Sequence, residues 1–278
     1  MAGVPIPETK IEEDTFPVNP IHQPNAEYSS LKVLFIHGGG STVSYQDRTQ
    51  EPFATYLSTK FGENFTMKTV RYTSDFEGVI STHAQEIARF RPDVVVGRSQ
   101  GGPTILALIK RRLWLGPSVI CCPALVASVD RPLVTDLPDH VPLLVLTGQV
   151  DEQVPVRRVK HMLFNPELRQ RLGAGIELVV VDDIHSLRSV LNDNHPAKVL
   201  QWTSGCGSDQ VNIQQDVTLQ SCISRVWSLR QQVKGQYIHE DRIPRSPPPP
   251  NNQESSNSLS NSPEAESQKV EKKTCLVQ

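Results

Sequence analysis

The chain lacks a disulfide framework, an excess of either charge, a signal peptide and a long apolar run. Its five cysteines are an odd number without framework or metal-type spacing, which indicates reduced thiols in a cytosolic compartment. A formal net charge of −2 gives no reason to expect nucleic acid or acidic lipid as the main partner. The N-terminus lacks the basic start and apolar core of a signal peptide, and no run reaches the length of a membrane-spanning helix. We therefore expect a soluble cytoplasmic protein.

Hydrophobic residues are scarce for a fully globular chain. They make up 37% of the 278 residues, whereas prolines number 22, so part of the chain is expected to be disordered. Residues 1–30 are polar and proline-spotted and are expected to form an irregular arm. Residues 243–278, with four consecutive prolines and many Ser and Asn residues, cannot build a core and are expected to form a disordered tail.

Apolar strands alternate with helical patterns between these two segments. The pattern predicts strands at 31–36, 65–72, 93–97, 118–122, 141–146 and 176–181, and helices at 45–61, 76–90, 104–112, 156–172 and 187–203. Alternation at this spacing predicts an α/β domain over 31–205, with a mostly parallel sheet of about six strands and helices on both faces.

A serine between glycines follows the third predicted strand. The run 97–101 reads G-x-S-x-G, and a helical pattern begins directly after it. This strand-turn-helix context is that of a nucleophile elbow, where a side chain at either glycine would collide with a neighbouring element. The alternative is an ordinary glycine-rich turn, but the context favours Ser99 as a nucleophile.

Three further polar residues fall at or just beyond predicted strand ends. His37, Asp151 and His185 each follow a strand, as Ser99 does, so a parallel sheet would gather all four at one edge. A serine needs a base to take its proton, and a histidine base needs a carboxylate to orient it. The chain order of these three residues is Ser99, Asp151, His185. Neither of the two major serine-protease folds has its triad in this order.

Each role has a competing assignment. Asp151 could instead cap the helix that starts near it, and Asp182 and Asp183 are rival acids that lie too close to the histidine in the same loop to reach it easily. His161 and His195 are rival bases, but neither follows the last strand.

Residues 30–205 resemble the small α/β-hydrolases without a lid domain. The run 97–102 is similar to the elbow of the carboxylesterase and acyl-protein thioesterase group, Gly148-x-x-Asp151-x-x-Val154-Pro155 to the acid loop of such hydrolases, and Asp182-Asp183-x-His185 to their histidine loop. The resemblance implies that the backbone N–H groups of Gly39 and Gln100 form the oxyanion hole. The run HGGG at 37–40 could alternatively cradle phosphate, but it lacks the P-loop lysine and the dinucleotide spacing.

Arg98 departs from the elbows of this group, which more often carry a small, aromatic or histidine residue there. It could hold an acidic substrate or pair with a neighbouring carboxylate. The 52 positions from Ser99 to Asp151 leave no room for a substantial lid, so an open site is expected.

The segment 206–242 is predicted to be a helical extension, because apolar residues repeat at 3-4 spacing from Leu219 to Val233. This helix could pack against the domain or bind a partner as a short coiled coil. The prolines at 247–250 could bind an SH3 or WW domain or serve as a spacer.

The last four residues, Cys275-Leu-Val-Gln278, form a C-a-a-X box that predicts farnesylation by a prenyltransferase. One prenyl chain on Cys275 would support reversible membrane association.

The sequence therefore predicts a serine hydrolase that cleaves a small carboxylic ester or thioester through an acyl-enzyme, without a metal or organic cofactor. The alternatives are a catalytically silent hydrolase-fold module that the tail recruits to membranes, and a serine peptidase or acyltransferase on the same triad.

Overall fold

The computed structural model describes residues 30–39, 51–72, 75–125, 137–138, 141–163, 175–204, 210–211 and 216–237. The N-terminal arm before residue 30, the proline-rich tail and Cys275 lie outside these residues, so the prediction of prenylation stays a prediction. No helix in the described ranges is both long and apolar enough to cross a membrane.

The described elements alternate between strands and helices through most of the chain. The strands are β1 Val33–Ile36, β2 Phe65–Met67, β3 Val94–Arg98, β4 Ser118–Cys121, β5 Leu143–Gly148, β6 Ile176–Val181, β7 Val199–Ser204 and β8 Gln210–Val211. The helices are α1 Pro52–Phe61, α2 Phe76–Phe90, α3 Gly101–Lys110, α4 Val156–Leu163 and α5 Leu219–Tyr237, with short 3-10 turns at Gly62–Asn64 and Ser189–Leu191.

All eight strands form one sheet in the order β2-β1-β3-β4-β5-β6-β7-β8. The pairs from β2 to β6 are parallel, whereas β6–β7 and β7–β8 are antiparallel. The four strands β1, β4, β5 and β6 are buried along their whole length, as the continuous apolar runs of parallel strands require. The prediction of a mostly parallel sheet is confirmed, and the architecture is that of the α/β-hydrolase fold.

Two hydrophobic clusters lie on opposite faces of this sheet. One contains Phe53 and Leu57 of α1 together with Leu219 and Val226 of α5. The other contains apolar residues of α2, α3 and α4, such as Ile80. Helices therefore cover both faces, as predicted. Residues of α5 lie in the same hydrophobic cluster as residues of the strands. Of the two alternatives predicted for this helix, packing against the domain is therefore the one observed.

The prediction of a closing helix over 187–203 is wrong. A single 3-10 turn at Ser189–Leu191 is followed by the strand β7, which pairs with β6 in antiparallel register. Pro196 lacks the backbone N–H that a helix would need at this point. The edge of β6 instead forms backbone hydrogen bonds with the segment that follows, which becomes the antiparallel strand β7. The count of six strands is low for the same reason, since β7 and β8 extend the sheet.

Strand order changes direction between β1 and β3. From β1 the chain moves outward to β2 and then returns to β3 on the other side of β1. Ligands of open α/β sheets bind at such a switch point, beyond the carboxyl ends of the strands. His37 follows β1 and Ser99 follows β3, so the fold places both residues at this point.

Candidate active site

Ser99 occupies the tip of a strained turn between β3 and α3. Its φ angle is 50°, in the left-handed region that non-glycine residues seldom adopt. Three backbone hydrogen bonds hold it there: Ser99 N–H donates to Cys121 O at 2.9 Å, and Ser99 O accepts from Gly102 N–H at 3.0 Å and Ala124 N–H at 2.9 Å. Strain of this kind persists where the surroundings over-determine the backbone, and it accompanies functional sites.

The glycines on either side of Ser99 permit the tight turn. An added Cβ at Gly97 would lie 2.6 Å from Ile105 Cδ1, and one at Gly101 would lie 2.1 Å from the carbonyl oxygen of Ile36. The predicted collision at both glycines is confirmed, because the start of α3 contacts the end of β1. This contact brings the loop after β1 next to the elbow.

That loop lies directly against Ser99 and Gln100. An added Cβ at Gly38 would be 3.1 Å from Ser99 Cβ and 3.8 Å from Ser99 Oγ. One at Gly39 would be 2.7 Å from Gln100 Cγ. The two residues that the resemblance assigns to an oxyanion hole are therefore neighbours in space.

His37 is fully buried and holds this loop in place. Its Nε2 accepts from Val70 N–H at 3.0 Å, so Nδ1 carries the proton and donates to Gly38 O at 2.7 Å. The Tyr72 hydroxyl donates to His37 O at 2.7 Å. His37 therefore positions backbone, and its two ring nitrogens are already engaged.

His185 and Asp151 form a hydrogen-bonded pair at the ends of β6 and β5. His185 Nδ1 lies 2.8 Å from Asp151 Oδ2. The other oxygen, Oδ1, accepts from the backbone N–H groups of Gln153 at 2.9 Å and Val154 at 2.8 Å. The Asp151 side chain is fully buried and the His185 side chain is 12% exposed. A buried carboxylate held by these donors in turn fixes the orientation of the histidine ring.

The loops that carry this pair are joined by their backbones. Gln149 N–H donates to Val181 O at 2.8 Å, and Val150 N–H donates to Asp183 O at 3.1 Å. An added Cβ at Gly148 would lie 2.4 Å from Asp183 O, so glycine is required for this approach. The distance between Asp151 and His185 is thus set by the sheet register.

The competing acids and bases are not part of the hydrogen-bonded pair of Asp151 and His185. Asp182 is exposed, and Asp183 accepts from Ile184 N–H at 2.7 Å and from Ser189 N–H at 2.9 Å, which shapes the histidine loop. His161 and His195 are exposed on the surface.

Arg98 pairs with a carboxylate, the second of its two predicted alternatives. Its Nη1 donates to Glu51 Oε1 at 2.8 Å, and the guanidinium carbon lies 5.3 Å from the centre of the Phe53 ring. The side chains of Arg98 and Glu51 are 20% and 10% exposed. The pair therefore connects the elbow with the start of α1.

Sequence reasoning missed Cys122, which lies beside Asp151. Its Sγ, a carboxylate oxygen of Asp151 and a ring nitrogen of His185 all lie within 4.8 Å of one another. Burial and the nearby charge of Asp151 raise the pKa of the Cys122 thiol well above its usual value. The sequence did hold an indication of this position. Cys122 follows β4, the strand that lies between the strands leading to Ser99 and to Asp151.

No protein-family model matches this chain, and neither does any curated protein. Solved structures do resemble it. The esterase domain of a Rhodothermus marinus protein is 15% identical with a TM-score of 0.40, over 59% of this chain and 81% of that one. An alpha-beta serine hydrolase homologue from Coxiella burnetii is 15% identical with a TM-score of 0.41, over 57% and 79%. A monoacylglycerol lipase from Paleococcus ferrophilus is 15% identical with a TM-score of 0.39, over 55% and 85%. Likenesses at this level carry no inference about activity, so function has to be inferred from the geometry of the site.

Proposed function

We propose that this protein is a serine hydrolase that cleaves a carboxylic ester or thioester through an acyl-enzyme. The observation that carries the proposal is the buried pair of His185 Nδ1 and Asp151 Oδ2, 2.8 Å apart, at the sheet edge where Ser99 stands on its strained turn. A histidine held by a buried carboxylate beside a raised serine is the arrangement that activates a hydroxyl for acyl transfer.

In the acylation step, Ser99 Oγ attacks the acyl carbon while His185 Nε2 takes its proton. Asp151 holds the ring in the Nδ1–H tautomer and stabilises the imidazolium that forms. His185 then gives the proton to the departing alkoxide or thiolate, which leaves as the alcohol or thiol. Water, activated by the same histidine, releases the acid and restores Ser99.

The described contacts include no hydrogen bond from Ser99 Oγ to His185. The serine–histidine contact therefore forms on substrate binding in this mechanism. Catalytic hydrogen bonds are often long before substrate binds and tighten in the Michaelis complex. The 12% exposure of the His185 side chain leaves its outer edge accessible for that contact.

The oxyanion of the tetrahedral intermediate would be held by the backbone N–H groups of Gly39 and Gln100. Gly39 lies against Gln100, and His37 fixes the preceding carbonyl through its Nδ1–H. Such donors stabilise the charge that develops on the acyl oxygen, and losing one costs roughly 10²–10³-fold in rate.

Labelling with a fluorophosphonate probe tests the proposal. The wild-type chain should be labelled, and Ser99→Ala should lose the label. Ser81→Ala, at an exposed serine of α2, is the matched control and should be labelled like the wild type. Undiminished labelling of Ser99→Ala would refute the assignment. A panel of acyl esters and thioesters of graded chain length then separates the two substrate classes.

A further inference from the structure

Cys122 stands at the carboxyl end of β4, between the strands that lead to Ser99 and Asp151. Its φ angle of 42° turns the chain after β4, and its N–H donates to Leu146 O at 2.8 Å. The thiol is buried beside the proposed acid and base, and the proposed mechanism does not use it. Three different donor types therefore meet at one point: a thiol, a carboxylate and an imidazole.

We propose that Cys122, Asp151 and His185 form a binding site for a thiophilic divalent cation such as Zn²⁺, which reversibly inhibits the enzyme. Cys, Asp and His are the residues that bind zinc in proteins, and three protein ligands with one open position are sufficient. Tetrahedral bonds of about 2.0–2.3 Å place donor atoms roughly 3.3–3.7 Å apart. Here the nitrogen and oxygen are 2.8 Å apart and all three donors lie within 4.8 Å, so shifts of about 1 Å assemble the site.

The protonation states change when the cation binds. Without it the buried thiol keeps its proton, because burial and the carboxylate of Asp151 oppose a second negative charge there. Binding replaces the thiol proton by a cation–sulfur bond and releases one proton to solvent. The proton on His185 Nδ1 moves to Nε2 as Nδ1 becomes a ligand. The site then changes from a net charge of −1 to neutral.

Thr147 lies beside the Cys122 thiol. Its Oγ1 is buried and has no hydrogen-bond partner among the described residues. Once the cation binds, this hydroxyl can donate to the sulfur. A neighbour of this kind strengthens metal sites through the ligand it orients.

The functional consequence rests on the proposed serine hydrolase activity. A cation on His185 Nδ1 separates the ring from Asp151 and leaves the ring proton on Nε2. The histidine can then no longer take the proton of Ser99.

Titration of the full chain with Cd²⁺ tests binding without any need for activity. Cadmium bound to a thiolate gives an ultraviolet charge-transfer band. We expect one equivalent to produce this band in the wild type and in Cys222→Ala, a control at another buried cysteine. Cys122→Ala and Cys122→Ser should lack this band at one equivalent of Cd²⁺, because the thiolate that gives it is gone, and any remaining binding should need at least about tenfold more Cd²⁺. An unchanged titration in both Cys122 variants would overturn the site.

Protection of Ser99 from the fluorophosphonate probe tests inhibition. Zn²⁺ should block labelling of the wild type and of Cys222→Ala, and a chelator should restore it. Half-protection of Cys122→Ser should need at least about tenfold more Zn²⁺. Equal protection of both chains would refute the role of Cys122. If no chain is labelled even without Zn²⁺, the proposed hydrolase fails, while the cadmium titration still decides the site.

Discussion

His185 Nδ1 and Asp151 Oδ2 lie 2.8 Å apart although 34 positions separate the two residues in the chain. Adjacent parallel strands β5 and β6, in register from Leu143 and Ile176 to Gly148 and Val181, bring their loops together. The carboxylate is buried and accepts hydrogen bonds from two backbone N–H groups, so Asp151 is held in place. Its chemical role can be tested by removing the charge while keeping the shape.

Asp151→Asn should lower kcat by roughly 10⁴-fold, because the amide no longer enforces the Nδ1–H tautomer of His185. The chain should still fold, since the side-chain oxygen can accept from the same backbone N–H groups. Ester hydrolysis and circular dichroism measure the two effects. Asp182→Asn, at an exposed aspartate in the histidine loop, should keep its activity. Equal losses in both variants would contradict the assignment of the acid.

Arg98→Met should lower the hydrolysis of neutral and anionic esters by the same factor. The guanidinium is already bound to Glu51 and lies over the Phe53 ring, so its role is to hold the elbow against α1. Glu51→Gln should have a similar effect, and the double variant should be non-additive by about 0.5–3 kcal/mol in unfolding free energy. A selective loss of anionic substrates in Arg98→Met would show instead that the arginine binds substrate charge.

Arg225→Met should destabilise the fold by about 3–5 kcal/mol, because it leaves a buried carboxylate without its cation. Glu177 on β6 is 1% exposed, and it accepts from Arg225 Nε on α5 at 3.1 and 3.0 Å. Trp202 Nε1–H donates to the same carboxylate at 3.2 Å. Urea unfolding measures the loss.

The surface pair of Arg111 and Glu77, whose side chains are 37% and 73% exposed, offers a matched control. Arg111→Met should cost no more than about 1 kcal/mol, because solvent screens exposed ion pairs. Comparable losses at Arg225 and Arg111 would mean that α5 is not held by its buried pair.

His83 should make the fold sensitive to acid. Burial lowers the pKa of His83 from 6.5 to about 4, with a smaller lowering by nearby His37 and an opposing effect of Glu86. The unfolded chain takes up a proton near pH 6.5, whereas the folded chain resists it until about pH 4. The stabilising contribution is therefore complete above pH 6.5 and is lost as pH falls toward 4, by at most on the order of 3 kcal/mol.

His83→Leu removes this titration while filling a similar volume. Its unfolding midpoint in urea should fall less than that of the wild type between about pH 7 and about pH 4. The exposed His161 serves as the control, and His161→Gln should follow the wild-type profile. Parallel profiles for the wild type and His83→Leu would contradict the prediction.

The parallel part of the fold could be predicted because its signals are local. The buried strands are mostly apolar runs, and the chain usually returns between parallel strands through a helix. The end of the domain could not be predicted in this way. The apolar spacing near Val199 fits a helix as well as a strand. The segment forms a strand because it can pair with the open edge of β6. Whether an edge strand such as β6 is available for pairing depends on how the whole sheet is assembled, so a local pattern does not specify it.

Several features of the candidate site follow from the sequence alone, since residues after parallel strands must meet at one edge. That rule predicted that His37, Ser99, Asp151 and His185 follow strands at one edge, and the glycines around Ser99 marked the turn. The structure shows His185 paired with Asp151 and the loop after His37 against Ser99. Which side chains then touch was decided by the tertiary structure. Glu51 meets Arg98, and Cys122 meets Asp151, through register and backbone angles that no local pattern encodes. Contacts across a sheet depend on the packing of the whole domain, so they become visible only in the folded chain.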